Sequence, residues 1–439
     1  MIFGIGFNDP FLVGIIALGL LLLLTFAGVR VVFAAAIVGL VGLVELLGWA
    51  PAAGIVGTVP HAKSSTYALS VLPMFIFIGF MAFHAGMTQQ LFDAARKWLG
   101  WMPGGLAVAT VFATAGFAAV SGASTATSAV FARVAIPEML RYGYDKKLAA
   151  GVVAAGGTLA TLIPPSAIIV IYAIIVEESV GKLLLAGFLP GLVSALIYAG
   201  IIIVWAMVRP TDAPSVSGYS WKERFESLPG VSPIFIVIFI IISAIYGGWA
   251  TPTEAGALGA AVVFLVALLR GTSLKDIKGS LMESARLTVM IFSLIWGVLI
   301  FVRFLGFSGV PEAFTAWIVQ LDTHPMVIMI CILLAYAVLG MFMDAIGMLL
   351  LTLPVVYPAV IALGFDSIWF GIIVVKMAEV CLITPPIGLN CFVVNGVRPD
   401  ISLGQVFRGI ALFFVADVIT IAVLLAFPEI VTWLPDLMS

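Results

Sequence analysis

Four stretches interrupt the apolar sequence with residues that suit the binding of an ion or a small solute. They are 121–127 (SGASTAT), 156–158 (GGT) together with 164–166 (PPS), 340–347 (GMFMDAIG) and 384–390 (TPPIGLN). Proline removes a helical hydrogen-bond donor, so it frees a backbone carbonyl. Freed carbonyls and Ser or Thr hydroxyls suit a hard monovalent cation, while helix N-termini that face one point suit an anion. The four breaks therefore predict binding of a cation and a small solute.

The composition places these breaks in a membrane protein. The chain has 439 residues, of which 63% are hydrophobic and only 10% are charged. A soluble protein of this size needs far more charge to cover its surface. In lipid, freed carbonyls survive only inside protein or beside a water-filled cavity. The net charge of −2 gives no indication of a nucleic-acid partner.

The apolar runs predict an all-α polytopic membrane protein with ten crossing segments. These segments lie at 11–29, 31–49, 66–86, 148–177, 184–208, 233–249, 255–270, 287–305, 368–396 and 405–428. Two further apolar stretches, 104–142 and 326–361, are broken in the middle and predict re-entrant helical hairpins. Amphipathic patterns at 88–100 and 311–321 predict helices in the membrane interface. The segment 209–232, rich in Pro, Ser and charge, is predicted to be a cytoplasmic linker.

The sequence repeats itself at an offset of 221 residues. Five identical residues hold this offset without a gap: Pro137/Pro358, Gly143/Gly364, Asp145/Asp366, Pro164/Pro385 and Pro165/Pro386. Each half, 1–208 and 233–439, has five predicted crossings and one hairpin. Because five is odd, the second half is predicted to be inverted relative to the first, an arrangement typical of secondary transporters.

The basic residues agree with this inverted topology. With ten crossings, sixteen of the 20 Lys and Arg residues fall on one side, against only Lys63, Lys182 and Arg303 on the other. Cytoplasmic loops carry the excess of Lys and Arg, so the richer side is predicted to be cytoplasmic. Both termini, including Ser439, are then periplasmic. The first hairpin enters from the cytoplasm and the second from the outside.

Each break also has a plainer interpretation. Taken alone, a small-residue run such as SGASTATSA is more often a close helix-packing face, and a lone Pro-Pro is more often a kink. Their occurrence at equivalent places in two inverted halves favours a binding site.

Few ionisable residues lie inside the predicted spans. Asp344 lies at a hairpin break, where a functional role is the default interpretation. Lys376 and Glu379 are three residues apart on one helix face, so they are expected either to pair or to belong to a site. Glu45 and Asp417 are expected to make helix–helix or subunit contacts.

Long stretches of the chain resemble the large membrane subunit of the tripartite ATP-independent periplasmic (TRAP) transporters. They are 104–130, 136–166, 182–192, 340–358 and 363–390, and the resemblance covers nearly the whole chain. It implies an elevator-type fold, with a scaffold and a transport domain that holds both hairpins. It also implies sodium-coupled import of a small organic acid across the bacterial inner membrane.

The resemblance implies two protein partners. One is a periplasmic substrate-binding protein, and the other is a small four-helix membrane subunit. Since the first repeat begins near residue 11, we expect the small subunit to be a separate chain. No cofactor is expected beyond the coupling ion.

The resemblance also places the ion and solute sites on the breaks. Sodium is expected at Ser121, Ser124, Thr125, Thr127, Gly157, Thr158, Gly340, Met343, Asp344, Thr384 and Pro385. The solute is expected between the tips, at Ser121, Gly122, Ala123, Pro165, Ser166, Pro386 and Asn390. One ion would lie between the first tip and the fourth-span break, the other between the second tip and the ninth-span break. Arg133 and Lys376 depart from the pattern expected at such positions.

The alternatives to this function are a stand-alone symporter, an intramembrane enzyme and a passive channel. A stand-alone sodium or proton symporter of a related inverted-repeat family would need no binding protein. An intramembrane enzyme would need clustered His, Asp or Cys near one interface, which the sequence lacks, and a passive channel fits poorly with mobile hairpins. The sequence has no GxxxxGK[ST], HExxH or GxSxG motif, so neither ATP drive nor catalysis is expected.

Overall fold

The computed structural model describes residues 9–216 and 218–437, and these ranges form helices without strands. Ser439, predicted to be periplasmic, lies outside the described residues. The helices are α1 Pro10–Phe26, α2 Val31–Leu47, α3 Trp49–Ser64, α4 Val71–His84, α5 Met87–Leu99, α6 Gly105–Ser121, α7 Ser124–Arg141, α8 Lys146–Thr158, α9 Ala167–Val176, α10 Val180–Val208, α11 Trp221–Tyr246, α12 Pro252–Leu269, α13 Leu274–Ser308, α14 Val310–Val319, α15 Pro325–Gly340, α16 Ala345–Ala362, α17 Ser367–Ile383, α18 Leu389–Val397, α19 Leu403–Ala426 and α20 Glu429–Asp436.

The all-helical membrane architecture is confirmed. Six of the described helices, α10 to α13, α16 and α19, are long and apolar enough to cross a bilayer. Helices α4 and α5 meet at a bend of 70°, where the sequence predicts a crossing followed by an interfacial helix. Because α16 is long enough for a full crossing, the re-entrant course of the second hairpin stays a prediction.

Both predicted hairpins form helix pairs with a short connection. Gly122, at φ +57°, and Ala123 separate α6 from α7, and residues 341–344 separate α15 from α16. The second arm of each hairpin packs on a broken span, α7 on α8 and α16 on α17. The hairpin tips are thereby held close to the breaks.

Both broken spans are interrupted at the Pro-Pro pairs. Helix α8 ends at Thr158, a 3-10 turn covers Leu159–Thr161, and α9 begins at Ala167. Helix α17 ends at Ile383 and α18 begins at Leu389 after Gly388, which has φ +47°. Both Pro-Pro bonds are cis. The two halves of the chain therefore interrupt their fourth helical span in the same way.

Helix α8 lies at the centre of the fold. Every residue from Leu148 to Thr158 is buried, and α8 packs against α6, α7, α18 and α19. Glycines allow these close contacts: a Cβ on Gly409 of α19 would lie only 2.0 Å from the Lys147 carbonyl oxygen. Helices α2, α4, α12 and α13 pack against one another as a second group.

Two predicted boundaries are wrong. Helix α11 begins at Trp221, inside the predicted linker 209–232, because Ser220 and Glu223 form a capping box that starts the helix early. Helix α13 begins at Leu274 rather than near 287, since Ser273 accepts a hydrogen bond from the Asp276 backbone N–H. The linker is thus confined to 209–220.

Two helices were missed in the sequence. Helix α3 carries Pro51, Gly54 and Gly57, which lower helix propensity, yet Pro51 lies in the first turn, where a missing N–H costs nothing. Helix α20 follows Pro428 and has only eight residues.

Between α18 and α19, Arg398 donates two hydrogen bonds of 2.7 Å to Asp400. These bonds lower the pKa of Asp400 to about 2, so the Arg398–Asp400 ion pair stays charged at neutral pH.

Candidate ion and solute site

The first hairpin tip is tied together by hydroxyl groups. Ser121, the last residue of α6, lies with its Oγ 3.0 Å from Thr127 Oγ1. Thr127 Oγ1 in turn donates to the Ala123 carbonyl at 2.9 Å. Ser121 and Thr127 are buried, whereas Thr125 is exposed. The tip therefore has two buried hydroxyl oxygens, at Ser121 and Thr127, and an exposed residue at Thr125.

The tip rests on the fourth-span break, as the sequence predicts. A Cβ added to Gly122 would lie 2.4 Å from the Pro165 carbonyl oxygen, so only glycine fits here. Ser166 caps α9 by accepting from the Ile169 backbone N–H at 3.3 Å, and its hydroxyl donates to the Thr161 carbonyl. The break thus has a defined conformation against which the tip packs.

Asn390 joins the ninth-span break to this same tip. Its Nδ2 donates to Ser124 Oγ at 2.8 Å and to the Ala154 carbonyl at 3.1 Å. Its Oδ1 is buried and makes no hydrogen bond with any described residue. Asn390, predicted to bind the solute between the two tips, thus contacts the first tip although it belongs to the ninth-span break. The reason is that the helix after each break packs against the hairpin of the other half of the chain. Helix α18 packs on α7 and also on α8, and α9 packs on α16.

Oxygen atoms of α7 converge on Gly157. A Cβ at Gly157 would lie 1.9 Å from Ser128 Oγ and 3.1 Å from the Ser124 carbonyl oxygen. Ser128 Oγ is buried without a hydrogen-bond partner in the described parts of the chain. Ser128 was missed as a site residue, although it belongs to the SGASTATSA run. These oxygens, beside Asn390, have the donor chemistry that a hard cation prefers.

Thr158 is turned away from this oxygen group. Its Oγ1 donates to the Ala155 carbonyl at 2.7 Å and lies 3.5 Å from the Tyr198 hydroxyl. Of the residues predicted for the first ion site, Ser121, Ser124, Thr127 and Gly157 are brought together, and the Thr125 and Thr158 side chains are not.

The second tip is organised around a helix cap. Asp344 accepts from the Gly347 backbone N–H at 3.0 Å and starts α16. A Cβ at Gly340 would lie 1.6 Å from Cys381 Sγ, so the hairpin packs tightly on α17. Met343 is buried at the same turn. The Asp344 carboxylate, expected to bind sodium, is thus the N-cap of α16 in this structure.

The ninth-span break is more open than the fourth. Thr384 Oγ1 donates to the Val380 carbonyl of its own helix at 2.6 Å, while Pro385 and Pro386 are exposed. Pro164 and Pro165, the equivalent residues of the first half, are buried. In residues 9–216 and 218–437, no hydrogen bond joins Asp344 to Thr384. The residues predicted for the second ion site are therefore not joined to one another in the way that those of the first site are.

Lys376 of α17 lies at the centre of a buried polar cluster. Its Nζ donates to Asp417 Oδ1 at 2.8 Å, to Ser194 Oγ at 2.7 Å and to the Glu379 carboxylate. The Tyr198 hydroxyl donates to the same Asp417 oxygen at 2.6 Å. The cluster joins α10, α17 and α19.

Two carboxylates and one ammonium give this cluster a formal charge of −1. Lys376, Glu379 and Asp417 are completely buried, and one oxygen of each carboxylate lacks a hydrogen-bond partner among the described residues. The Lys376–Glu379 pair is one of the two predicted alternatives. Asp417 makes a helix–helix contact, which is one of the two roles predicted for it. Sequence spacing did not reveal that it joins the Lys376–Glu379 pair.

Two cavities lie along α13. One, of about 490 Å³, opens beside the first tip between the α6–α7 hairpin and helices α4 and α13. Its walls include Ser121, Ala123 and Thr125 of the tip, and Arg133. The other, of about 650 Å³, is lined by α3, α9, α13 and α16. Both volumes fall in the range of small-molecule sites, and the first touches residues predicted to bind the solute.

Known proteins are similar to this chain in sequence. The family model of the tripartite ATP-independent periplasmic transporter, DctM component, matches residues 18–430. The C4-dicarboxylate TRAP transporter large permease protein of Pseudomonas aeruginosa is 35% identical over 85% of this chain and 85% of its own length. The namesake of Vibrio cholerae is 33% identical, over 88% of this chain and 89% of its own length.

A solved structure also shares the fold. The crystal structure of the Alcanivorax borkumensis YdaH transporter superimposes with a TM-score of 0.56, at 15% identity, over 87% of this chain and 90% of that one. The family match spans nearly all of the sequence, including both hairpins and both breaks. This chain belongs to the DctM family, the large membrane component of the tripartite ATP-independent periplasmic transporters.

Proposed function

We propose that this chain imports a small organic acid by secondary active transport coupled to sodium. The observation that carries the proposal is the meeting of the first hairpin tip with both span breaks, at Ser124. Around this point lie hydroxyl, carbonyl and amide oxygens, two of which are buried without a partner in the described chain. A cation that replaced its hydration water with these oxygens would order the tip before the solute binds.

Sodium is proposed rather than a proton for a chemical reason. The first tip offers neutral oxygens from Ser121, Ser124, Thr127 and Ser128, and none of these groups titrates near neutral pH. Neutral oxygens bind a metal cation without gaining or losing a proton. The solute is proposed as an organic acid because the two relatives above are named for C4-dicarboxylates.

The chain is proposed to work with two partners in the bacterial inner membrane. A periplasmic binding protein would deliver the solute, and a small four-helix membrane subunit would complete the membrane part. The support is membership of a family whose name describes a tripartite periplasmic system. The termini are proposed to be periplasmic, in keeping with the distribution of Lys and Arg.

Reconstitution into proteoliposomes tests the partner requirement. The chain is inserted alone, with the small subunit, and with the small subunit plus solute-loaded binding protein, always under an inward sodium gradient. Uptake is expected only with all three components. Uptake of free solute by the chain alone would contradict the proposal and favour the stand-alone symporter.

A further inference from the structure

The cavity beside the first tip carries two guanidinium groups from different elements. Arg133 lies on α7, the second arm of the first hairpin, and Arg286 lies on α13. Both line the same volume of about 490 Å³, together with the tip residues Ser121 and Thr125. The cavity therefore has positive groups on two of its walls and hydroxyl groups at the hairpin tip.

Neither guanidinium is engaged by a described residue of the protein. Arg96 pairs with Glu138, and Arg398 with Asp400, but Arg133 and Arg286 make no ion pair or hydrogen bond within residues 9–216 and 218–437. Both residues are exposed, and both line the cavity. Guanidinium groups without a protein partner are free to donate hydrogen bonds to an anion that enters the cavity.

The remaining charge of the cavity leaves it positive. Glu283 is the carboxylate among its lining residues, and its Oε2 lies 3.3 Å from His84 Nε2 on α4. Two guanidiniums and one carboxylate give a formal charge of +1 before a solute enters. Phe80, Phe83 and Phe117 supply apolar walls on the same cavity. Such a site suits a small molecule with an anionic end and a short carbon skeleton.

We propose that Arg133 and Arg286 together bind the carboxylate group of the transported solute. Guanidinium groups match carboxylates through paired, charge-assisted hydrogen bonds. The Ser121 and Thr125 hydroxyls, on the same cavity wall, are placed for the other polar groups of the solute. This assignment rests on the proposed import of an organic acid and names the residues that hold its charge.

Chemical protection of the arginines tests the assignment directly. The purified chain is treated with phenylglyoxal, and adducts at each arginine are followed by mass spectrometry. The probes are succinate, lactate and, as an uncharged analogue of succinate, succinamide. At millimolar concentrations, a carboxylate is expected to slow modification of Arg133 and Arg286 several-fold. Arg408, exposed on α19 outside the cavity, serves as the reference, and succinamide is expected to protect none.

The same experiment separates a solute site from an anion site of another kind. Inorganic phosphate and vesicles of anionic lipid are tested alongside the carboxylates. Protection by phosphate or lipid but by neither carboxylate would overturn the proposal, as would equal modification rates with and without every probe.

Substitutions then connect the site to transport in the complete three-component system. Arg133→Gln and Arg286→Gln are each expected to lower uptake about ten-fold or more, since each removes charge-assisted hydrogen bonds. Arg133→Lys keeps the charge and is expected to recover part of the loss, while Arg408→Gln is expected to match the wild type. Wild-type uptake by both Gln variants would overturn this assignment and leave the proposed function standing. Loss of uptake in the wild type itself would count against the function.

Discussion

Ser124 is the residue at which three separate parts of the chain meet. Its hydroxyl accepts from Asn390 of the ninth-span break, and its carbonyl lies beside Gly157 of the fourth span. Residues 124 and 390 are 266 positions apart, so no local pattern could reveal this contact. The SGASTAT run could be predicted to bind an ion because its hydroxyl groups lie close together in the sequence. The contact with the Asn390 amide could not be predicted.

Ser124→Ala is expected to raise the sodium concentration that gives half-maximal uptake by about five-fold or more, because coupling between sites is typically 1–3 kcal/mol. The change removes one oxygen and leaves Asn390 Nδ2 with the Ala154 carbonyl as its remaining acceptor. Ser243→Ala is the control, since the Ser243 hydroxyl bonds only to carbonyls of its own helix. Sodium titration of uptake measures both variants. An unchanged titration for Ser124→Ala would place the ion elsewhere.

The Lys376 cluster makes a prediction about stability. Lys376→Met leaves two carboxylates buried against each other, and breaking a buried pair in this way costs about 3–5 kcal/mol. A lower thermal unfolding midpoint in detergent and poorer expression are expected. Lys222→Met removes an ammonium that is 84% exposed and should have little effect.

A triple variant decides whether charge is the cause. Lys376→Met combined with Glu379→Gln and Asp417→Asn removes all three charges, and it is expected to recover much of the lost stability. If the single and triple variants unfold at the same temperature, the loss reflects packing and not an uncompensated charge.

At the scale of elements, the hairpins and breaks were predictable and several helix boundaries were not. Pro-Pro pairs and runs of small residues predict where a helix ends, and both breaks lie at these residues. Helix α11 starts early because Ser220 and Glu223 cap it, a local signal hidden among prolines. Helix α3 was missed because Pro51, Gly54 and Gly57 read as a loop, although neighbouring helices α2 and α13 support it.

Gly122→Ala tests the contact between hairpin and break. The added methyl would meet the Pro165 carbonyl oxygen at 2.4 Å and would also strain a residue at φ +57°. The first hairpin tip should then be unable to pack against the fourth-span break. Uptake should be lost, while the protein still inserts into the membrane. Gly28→Ala is a matched control, because Gly28 has φ +88° but nothing within 4 Å of the added atom. Equal uptake by the two variants would show that tip seating is not needed.

At the scale of the whole molecule, the inverted topology is the prediction on which the mechanism depends. Single cysteines are placed in a background without the three native ones, and an impermeant maleimide is added to intact cells. Glu226, exposed on the first turns of α11, reports on the predicted cytoplasmic side. Glu226→Cys and Ser402→Cys should be protected, and Asp322→Cys should be labelled. Labelling at 226 from outside would contradict the inverted repeat.

We propose that the sodium gradient drives solute accumulation, and simultaneous measurement of the sodium and solute fluxes tests this coupling. Proteoliposomes with both membrane subunits and loaded binding protein receive radioactive sodium outside and labelled solute. Sodium entry is expected to rise with added loaded binding protein, and abolishing the sodium gradient is expected to stop solute accumulation. Solute accumulation that continued without a sodium gradient and stopped only when a proton gradient was removed would contradict sodium coupling.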